Sequence, residues 1–195
     1  DGMRIARLAL WMALAAASGA WAQQTDLTAL AGPYFGQRPP GRTPEPFMAS
    51  TPDLQQLHGM IRFSPDGKAA YWKPVWKPTT PIFEARLVDG RWTAPAVVGF
   101  SAPDQGDDVP FLTPDGRTVF FISQRPVAGE ARRERIWTVT RTASGWSEPR
   151  LLTGAVNTVP DIHWQLSTDR HGNLYFGVSR RGREGEIYCA RFQDG

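Results

Sequence analysis

Short apolar runs rich in aromatic and β-branched residues alternate with tight-turn sequences along most of this chain. Residues 82–87, 136–141 and 187–192 alternate apolar and polar positions with the two-residue period of half-buried strands. Gly and Pro recur so often that no stretch after Ala22 sustains the 3.6-residue period of an amphipathic helix. The pattern therefore predicts an all-β protein.

A turn motif occurs three times and marks an internal repeat. It combines a hydroxyl residue, Pro and an Asp-Gly pair, which supply a local hydrogen-bonding group, a fixed φ and a residue that tolerates positive φ. The copies are Ser64-Pro65-Asp66-Gly67, Thr113-Pro114-Asp115-Gly116 and a divergent Ser167-Thr168-Asp169 with a delayed Gly172. The repeat is regular, because a Pro lies 20 residues before each turn Asp, at Pro46, Pro95 and Pro149.

Each repeat predicts a four-stranded antiparallel sheet. One strand precedes the turn, one follows it, a third carries the alternating pattern, and a fourth begins near a Trp-x-x-Pro element. Four strands in about 50 residues is typical of a propeller blade. We expect a partial β-propeller over residues 45–195, with a closing strand at 45–50, blade 1 at about 56–99, blade 2 at about 105–154 and an incomplete blade 3 at about 160–195.

The turn motif, the Asp-Gly-x-Trp-x-x-Pro element and the segment 156–158 resemble the WD40-like propeller repeats of the TolB type. Residues 32–45 resemble the leader that precedes such repeats in a group of exported propeller proteins. The resemblance extends from Gly32 to Gly195. It implies six blades closed into a ring, in a periplasmic or extracellular setting.

The third repeat stops where the first two continue to a Trp-x-x-Pro strand. An open set of blades would expose an apolar face and unpaired strand edges. We therefore expect the chain to be a fragment of a longer product, and the alternative is that two copies assemble into one ring.

The first 22 residues have the organisation of a secretory signal peptide. A basic stretch with Arg4 and Arg7 precedes an apolar run at 8–17, and a small-x-small cleavage signal ends at Ala22. The apolar run is too short to span a bilayer, and an uncleaved anchor is the alternative. We expect a Pro/Gly-rich leader at 23–44, no stable membrane insertion after cleavage, and a periplasmic or secreted location.

The net charge argues against one class of partner, and the cysteine content excludes one kind of covalent link. The net charge of +3 is small and scattered, which argues against nucleic acid as a partner. The single cysteine, Cys189, excludes an intrachain disulfide, and we expect it to be buried in a strand.

Counting back from the turn aspartates gives a candidate site. His58, Asp107 and Asp161 each lie eight residues before a turn Asp, with Asp108 and His163 close by in sequence. In propellers, loops at this end surround the channel mouth, and loops carry much of the function of a domain. We predict that these five side chains contact a ligand at the mouth. The alternative is a solvated loop whose carboxylates cap strand ends.

A tryptophan and an acidic loop are further candidates. Trp76 lies in a Pro-rich loop outside the strand register, where it is suited to stack on a sugar, to anchor a peptide or to cover the blade. One loop offers the oxygen ligands that a hard divalent cation prefers, from Asp104, Asp107 and Asp108. Acids are also ordinary in turns, so the residues leave a metal site open.

Two basic runs, at 132–135 and 180–183, fall in corresponding loops of neighbouring repeats. They predict a positive patch for an anionic partner, or alternatively a solvated face.

The sequence lacks several well-known catalytic motifs, and this favours a binding function over catalysis. The sequence contains no Gly-x-Ser-x-Gly elbow, Walker A loop, His-Glu-x-x-His or Gly-x-Gly-x-x-Gly. We predict a non-catalytic binding or scaffold propeller, without a cofactor, that recognises a protein, peptide or glycan through its loop face. The alternative is a propeller hydrolase or lyase that uses the acids at the mouth, with or without a divalent cation. A purely structural scaffold is a third hypothesis.

Overall fold

The protein is all-β, as the sequence pattern predicts. Within the residues that the computed structural model describes, the chain forms three antiparallel sheets and a few single-turn 3₁₀ helices, with no α-helix. Those residues are 26–38, 41–48, 58–74, 77, 79–159, 162–179 and 185–191.

Each sheet adds its strands side by side in chain order, starting from a hairpin. The first sheet contains β1 (His58–Phe63), β2 (Ala69–Lys73), β3 (Phe83–Val88), β4 (Arg91–Trp92) and β5 (Ala96–Val97). The second contains β6 (Asp108–Leu112), β7 (Thr118–Ser123), β8 (Arg135–Thr142), β9 (Gly145–Trp146) and β10 (Arg150–Leu151). The third contains β11 (Ile162–Thr168), β12 (Leu174–Ser179) and β13 (Glu186–Ala190). In the first two sheets, two short strands share the outer edge of the third strand, so each sheet is four strands wide.

The repeated turn motif closes the first hairpin of each sheet. Ser64 Oγ donates to Asp66 Oδ1 at 2.6 Å and accepts from the N–H of Ala69 at 2.8 Å. The second sheet has the corresponding hydroxyl–carboxylate bond, from Thr113 to Asp115, also at 2.6 Å. In the longer third turn, the aspartate accepts two backbone N–H bonds. These local bonds explain why the sequence marks the hairpins so clearly.

Successive sheets pack face to face. Strand alternation places Tyr71 of β2 in a buried apolar cluster between the first and second sheets, and its neighbour Trp72 on the opposite face. In β7, Phe121 belongs to the cluster with the first sheet, whereas Ile122 packs in a cluster with Phe176 of the third sheet. The second sheet is therefore covered on both faces, which accounts for its nearly continuous apolar strands.

The leader covers the face of the first sheet that points away from the second. Leu27, Phe35 and Met48 are at most 2% exposed and pack in one cluster with Trp92. The indole N–H of Trp92 donates to the carbonyl oxygen of Gly32 at 2.8 Å. The leader is thus part of the folded core.

The closing strand predicted at 45–50 differs from the structure over the residues described. Residues 45–48 form no strand and end in a turn, where Met48 has a φ of 53°. Pro46 has no N–H to give to a ladder, and burial of the Met48 side chain holds this segment against the first sheet. Residues 49–57, which include the rest of that strand, lie outside the described part of the chain.

The leader contacts the first sheet in much the same way as the first sheet contacts the second. A Cβ built on Gly67 would lie 2.5 Å from the ring of Tyr34. The backbone N–H of Tyr34 donates to the carbonyl oxygen of Gly67 at 2.9 Å. At the matching turn of the second sheet, a Cβ on Gly116 would lie 3.4 Å from Pro65 of the first sheet. The leader therefore takes the place of a preceding sheet.

The third sheet buries one face against the second. Its other face is exposed at Ile187, which is 82% accessible. Cys189, expected from the sequence to be buried, is exposed. The reason is alternation: Tyr188 and Ala190 of the same strand pack toward the second sheet, so Cys189 points away from it.

The predicted signal peptide at 1–22 lies outside the described residues. Among those that are described, no helix has the length and apolar character required to cross a membrane.

Candidate functional site

The first strands of the three sheets, β1, β6 and β11, each carry a polar residue at their first or second position. We call this edge of the sheets the strand-start end. The pairs at this end are His58 with Lys73, Asp108 with Ile122, and His163 with Val178. Lys73 and Ile122 are equivalent, because each lies three residues after the residue that pairs with the end of the first strand. In the third sheet that position is Gly177, which pairs with Trp164. The backbone register thus makes His58 and Asp108 equivalent, and His163 lies one residue before the corresponding Trp164.

Counting along the sequence instead groups His58 with Asp107 and Asp161. The two groupings differ because the first strands carry irregularities of different size. In β1, the five residues from His58 to Arg62 oppose three of β2, whereas in β6 the four residues from Asp108 to Phe111 oppose three of β7. A fixed offset from the turn therefore misses the register by one residue in the second sheet, and by three in the third, where the turn Asp also lies closer to the end of the strand.

Asp107 lies immediately before β6 and is completely buried. Its Oδ1 accepts from Arg125 Nη1 at 2.6 Å, and its Oδ2 accepts from Arg125 Nη2 at 3.1 Å and from Ser101 Oγ at 2.8 Å. The N–H of Ala102 also donates to Oδ2, at 3.2 Å. With four donors from the protein, this carboxylate anchors its loop.

Arg125 is the cationic partner and lies just beyond the end of β7. One guanidinium nitrogen also donates to the carbonyl oxygen of Phe100 at 2.5 Å. The guanidinium carbon lies 5.1 Å from the ring centroid of Phe121 and 5.9 Å from that of Trp137, which is suitable for cation–π contact. Desolvation lowers the pKa of Arg125, and the charge and hydrogen bonds of Asp107 oppose that shift.

Lys73 connects the first sheet to the second at the same end. Its side chain is 2% exposed, and Nζ donates to the carbonyl oxygen of Asp107 at 2.9 Å. Nζ also lies 3.6 Å from Oδ2 of Asp108, whose side chain is 11% exposed. One buried and one half-buried cation therefore form a charge-balanced network with two buried carboxylates, which we call the strand-start network: Lys73, Arg125, Asp107 and Asp108.

The described members of the acidic loop do not assemble a metal site. No group of three or more His, Cys, Asp or Glu suited to a metal ion occurs in the described part of the chain. Asp107 is held by Arg125, and Asp108 faces Lys73. The backbone carbonyl of Asp104 accepts a hydrogen bond from Arg132.

Two arginines of the first basic run, 132–135, make contacts within the protein. Arg133 donates to the carbonyl oxygens of Asn157 and Val159, at 2.5 and 3.3 Å. Arg135 is buried and pairs with Glu130 at 2.5 Å. The second run, 180–183, lies outside the described residues. In the run that is described, these two arginines are used for structure.

Of the six predicted site residues, the structure brings Asp107 and Asp108 together in the strand-start network. It describes the backbone of His58, which lies in register with Asp108, and of His163, which lies one residue before the corresponding position of the third sheet. Trp76 and Asp161 lie outside the described residues.

Sequence reasoning did not identify Lys73 and Arg125. A signal was present for Lys73, which ends the otherwise apolar run Ala69–Lys73 and is buried with it. A lysine that ends a strand buried on both faces requires a carboxylate partner.

Comparison of the chain with protein-family models, curated proteins and solved structures found no match.

Proposed function

We propose that this chain is a non-catalytic binding module of the β-propeller type that works outside the cytoplasm. It recognises a protein, peptide or glycan through the loops at the strand-start end.

The observation that carries the proposal is the recurrence of polar residues at that end. His58 and Asp108 occupy the same ladder position in the first two sheets, and His163 lies one residue before that position in the third. Neighbouring positions in these strands are largely apolar, because they pack between sheets. A polar residue at one edge of every sheet is the arrangement by which successive blades present side chains to a common ligand.

The blade assignment rests on strand order and on packing. Each sheet runs outward in chain order from its first strand, and each new sheet packs on the preceding one. These features agree with the resemblance to TolB-type repeats in the sequence, and that resemblance also supports an extracytoplasmic location.

The strand-start network gives the proposed site a rigid base. Ser123 and Gln124, at the end of β7, bond to the carbonyl oxygen of Gln105 in the loop before β6. Arg125 then fixes Asp107 in that loop. Fixed loops lower the entropic cost of binding. A carboxylate that accepts four protein donors is suited to positioning a loop rather than to proton transfer, so we favour binding over a hydrolase or lyase.

The test is a binding screen with the full chain on glycan and peptide arrays. The variant is the double substitution His58→Ala/His163→Ala, and His171→Ala is the matched control, because that exposed histidine lies in the third hairpin turn at the other end of its sheet. We expect the double variant to lose at least about tenfold in affinity for each retained ligand, which corresponds to about 1.4 kcal/mol. The control should bind as the wild type does.

Far-UV circular dichroism and thermal melting of all three proteins establish that the variants are folded. Equal binding by wild type and double variant would contradict the proposal. The same conclusion would follow if the wild type retained nothing on either array.

A further inference from the structure

A groove lies between the first and second sheets, toward their hairpin turns and away from the strand-start end. It consists of two adjoining cavities of about 460 and 520 Å³. Arg86, Arg141 and Trp146 line both cavities. Volumes of this size are typical of sites for small ligands.

Two arginines from different sheets face each other in the groove. Arg86 projects from β3 on the face that meets the second sheet, and its Nη2 lies 2.6 Å from Oε2 of Glu84. Arg141 projects from β8, and its guanidinium carbon lies 4.8 Å from the ring centroid of Trp146. Among the described residues, Arg141 belongs to no ion pair.

Tyr71 lies in the wall of the groove between these two cations. It is 2% exposed, and its burial raises the pKa of the phenol, while the charges of Arg86 and Arg141 act in the opposite direction. The phenol is therefore neutral at physiological pH, and its O–H is available as a hydrogen-bond donor beside two guanidinium groups. Cations flanking a neutral hydroxyl are suited to a carboxylate ligand.

Acidic acceptors line the groove near its turn end. Asp66 and Asp115 accept their turn hydrogen bonds through Oδ1. Their Oδ2 atoms carry no hydrogen bond within the described part of the chain and are free to accept hydroxyl groups from a ligand. The groove thus offers cationic donors for a carboxylate and anionic acceptors for hydroxyls.

The edges of the groove do not favour a peptide added as a strand. The N–H of Thr93 donates to the carbonyl oxygen of Arg86, and the N–H of Arg86 donates to Thr93 Oγ1. Thr140 makes the corresponding two bonds with Ser147 in the second sheet. Because these backbone groups are already paired, a ligand must bind through side chains.

We propose that the groove binds an acidic saccharide, with the carboxylate of a sugar acid held by Arg141 and Arg86 and the sugar hydroxyls donating to Asp66 and Asp115. This site is separate from the strand-start end, and it does not depend on the function proposed there.

The test is isothermal titration of the full chain with a trimer of a hexuronic acid and with the neutral hexose trimer of the same linkage. We expect the acidic trimer to bind at least about tenfold more tightly, and we expect added salt to weaken the binding. Arg141→Gln should weaken binding of the acidic trimer by at least about tenfold, and Arg141→Lys should weaken it less. Arg150→Gln is the matched control, because Arg150 is an exposed arginine in a strand of the same sheet and outside the groove.

Thermal melting of each variant separates loss of binding from loss of fold, and the lysine variant provides a second measurement if the glutamine variant unfolds. Equal affinity for the acidic and neutral trimers would overturn the proposal, as would equal effects of the Arg141 and Arg150 variants. An acidic tetrapeptide that binds while the acidic trimer does not would also overturn it, and so would the absence of binding by any of these ligands.

Discussion

Arg125 donates to both carboxylate oxygens of Asp107, at 2.6 and 3.1 Å, and so joins the end of β7 to the loop that precedes β6. The Asp107 side chain is fully buried and that of Arg125 is 13% exposed, so solvent screens the pair only weakly. Removal of one partner leaves the other charge buried without compensation, and this is the costly case for an internal ion pair.

Asp107→Asn should therefore lower the free energy of unfolding by about 3 to 5 kcal/mol. Urea denaturation monitored by tryptophan fluorescence measures the effect. Asp104→Asn is the matched control, because Asp104 is exposed in the same loop and the amide tolerates its φ of 65°. If the two variants lose the same stability, the Asp107–Arg125 contact does not stabilise the fold in the way described.

The turn aspartates connect the repeat motif to pH dependence. The hydroxyl of Ser64 and the N–H of Lys68 lower the pKa of Asp66, and the hydroxyl of Thr113 has the same effect on the pKa of Asp115. A folded-state pKa below the unfolded value means that the ionised form stabilises the fold above about pH 4. That contribution is lost as the pH falls through the folded pKa, and it is small because both groups are exposed to solvent.

We expect Thr113→Val to raise the pKa of Asp115 and leave that of Asp66 unchanged. Ser64→Ala should give the converse result. Carboxyl carbon chemical shifts followed from pH 7 down to about pH 2 report each aspartate separately. A pKa of Asp115 that does not move in Thr113→Val would show that the hydroxyl contact is unimportant in solution.

Gly67 and Gly116 are a matched pair that measures how firmly the leader is held. Both have positive φ, 68° and 71°, so alanine at either position incurs a backbone cost of about 1 kcal/mol. At Gly67, the added Cβ also meets the Tyr34 ring at 2.5 Å, whereas at Gly116 the nearest atom, of Pro65, is at 3.4 Å. Gly67→Ala should therefore destabilise the protein more than Gly116→Ala does, as measured by thermal unfolding.

The combination of Gly67→Ala with Tyr34→Ala provides the control. Because the second substitution removes the ring, the two changes together should cost less than the sum of the separate costs. Strict additivity would indicate that the leader does not pack against this turn.

The strands and hairpins could be predicted from the sequence because their signals are local. Alternation in residues 136–141 and the Ser/Thr-Pro-Asp-Gly turns depend on neighbours in sequence, and the structure places strands and turns there. The register of the strand starts could not be predicted to the residue, because the irregularity between His58 and Arg62 leaves no mark in composition.

Contacts between residues that are distant in sequence could not be predicted either. Trp92 and Gly32, which are 60 residues apart, form a hydrogen bond that attaches the leader to the core. The leader is rich in Pro and Gly, and its composition gave no indication of that contact. The groove had a weak signal, since basic residues such as Arg86 and Arg141 recur near the ends of the alternating runs. Only the stacking of the sheets shows that these two face each other.

The burial of the leader gives the stack of sheets two unlike ends. Head-to-tail growth of copies into a filament requires two different surfaces that fit each other. The first sheet offers no such surface, since Phe35 and Met48 fill it. Among the described residues, the face of the third sheet that carries Ile187 therefore finds no matching open face on the first sheet of a second copy, which disfavours head-to-tail stacking through these two faces.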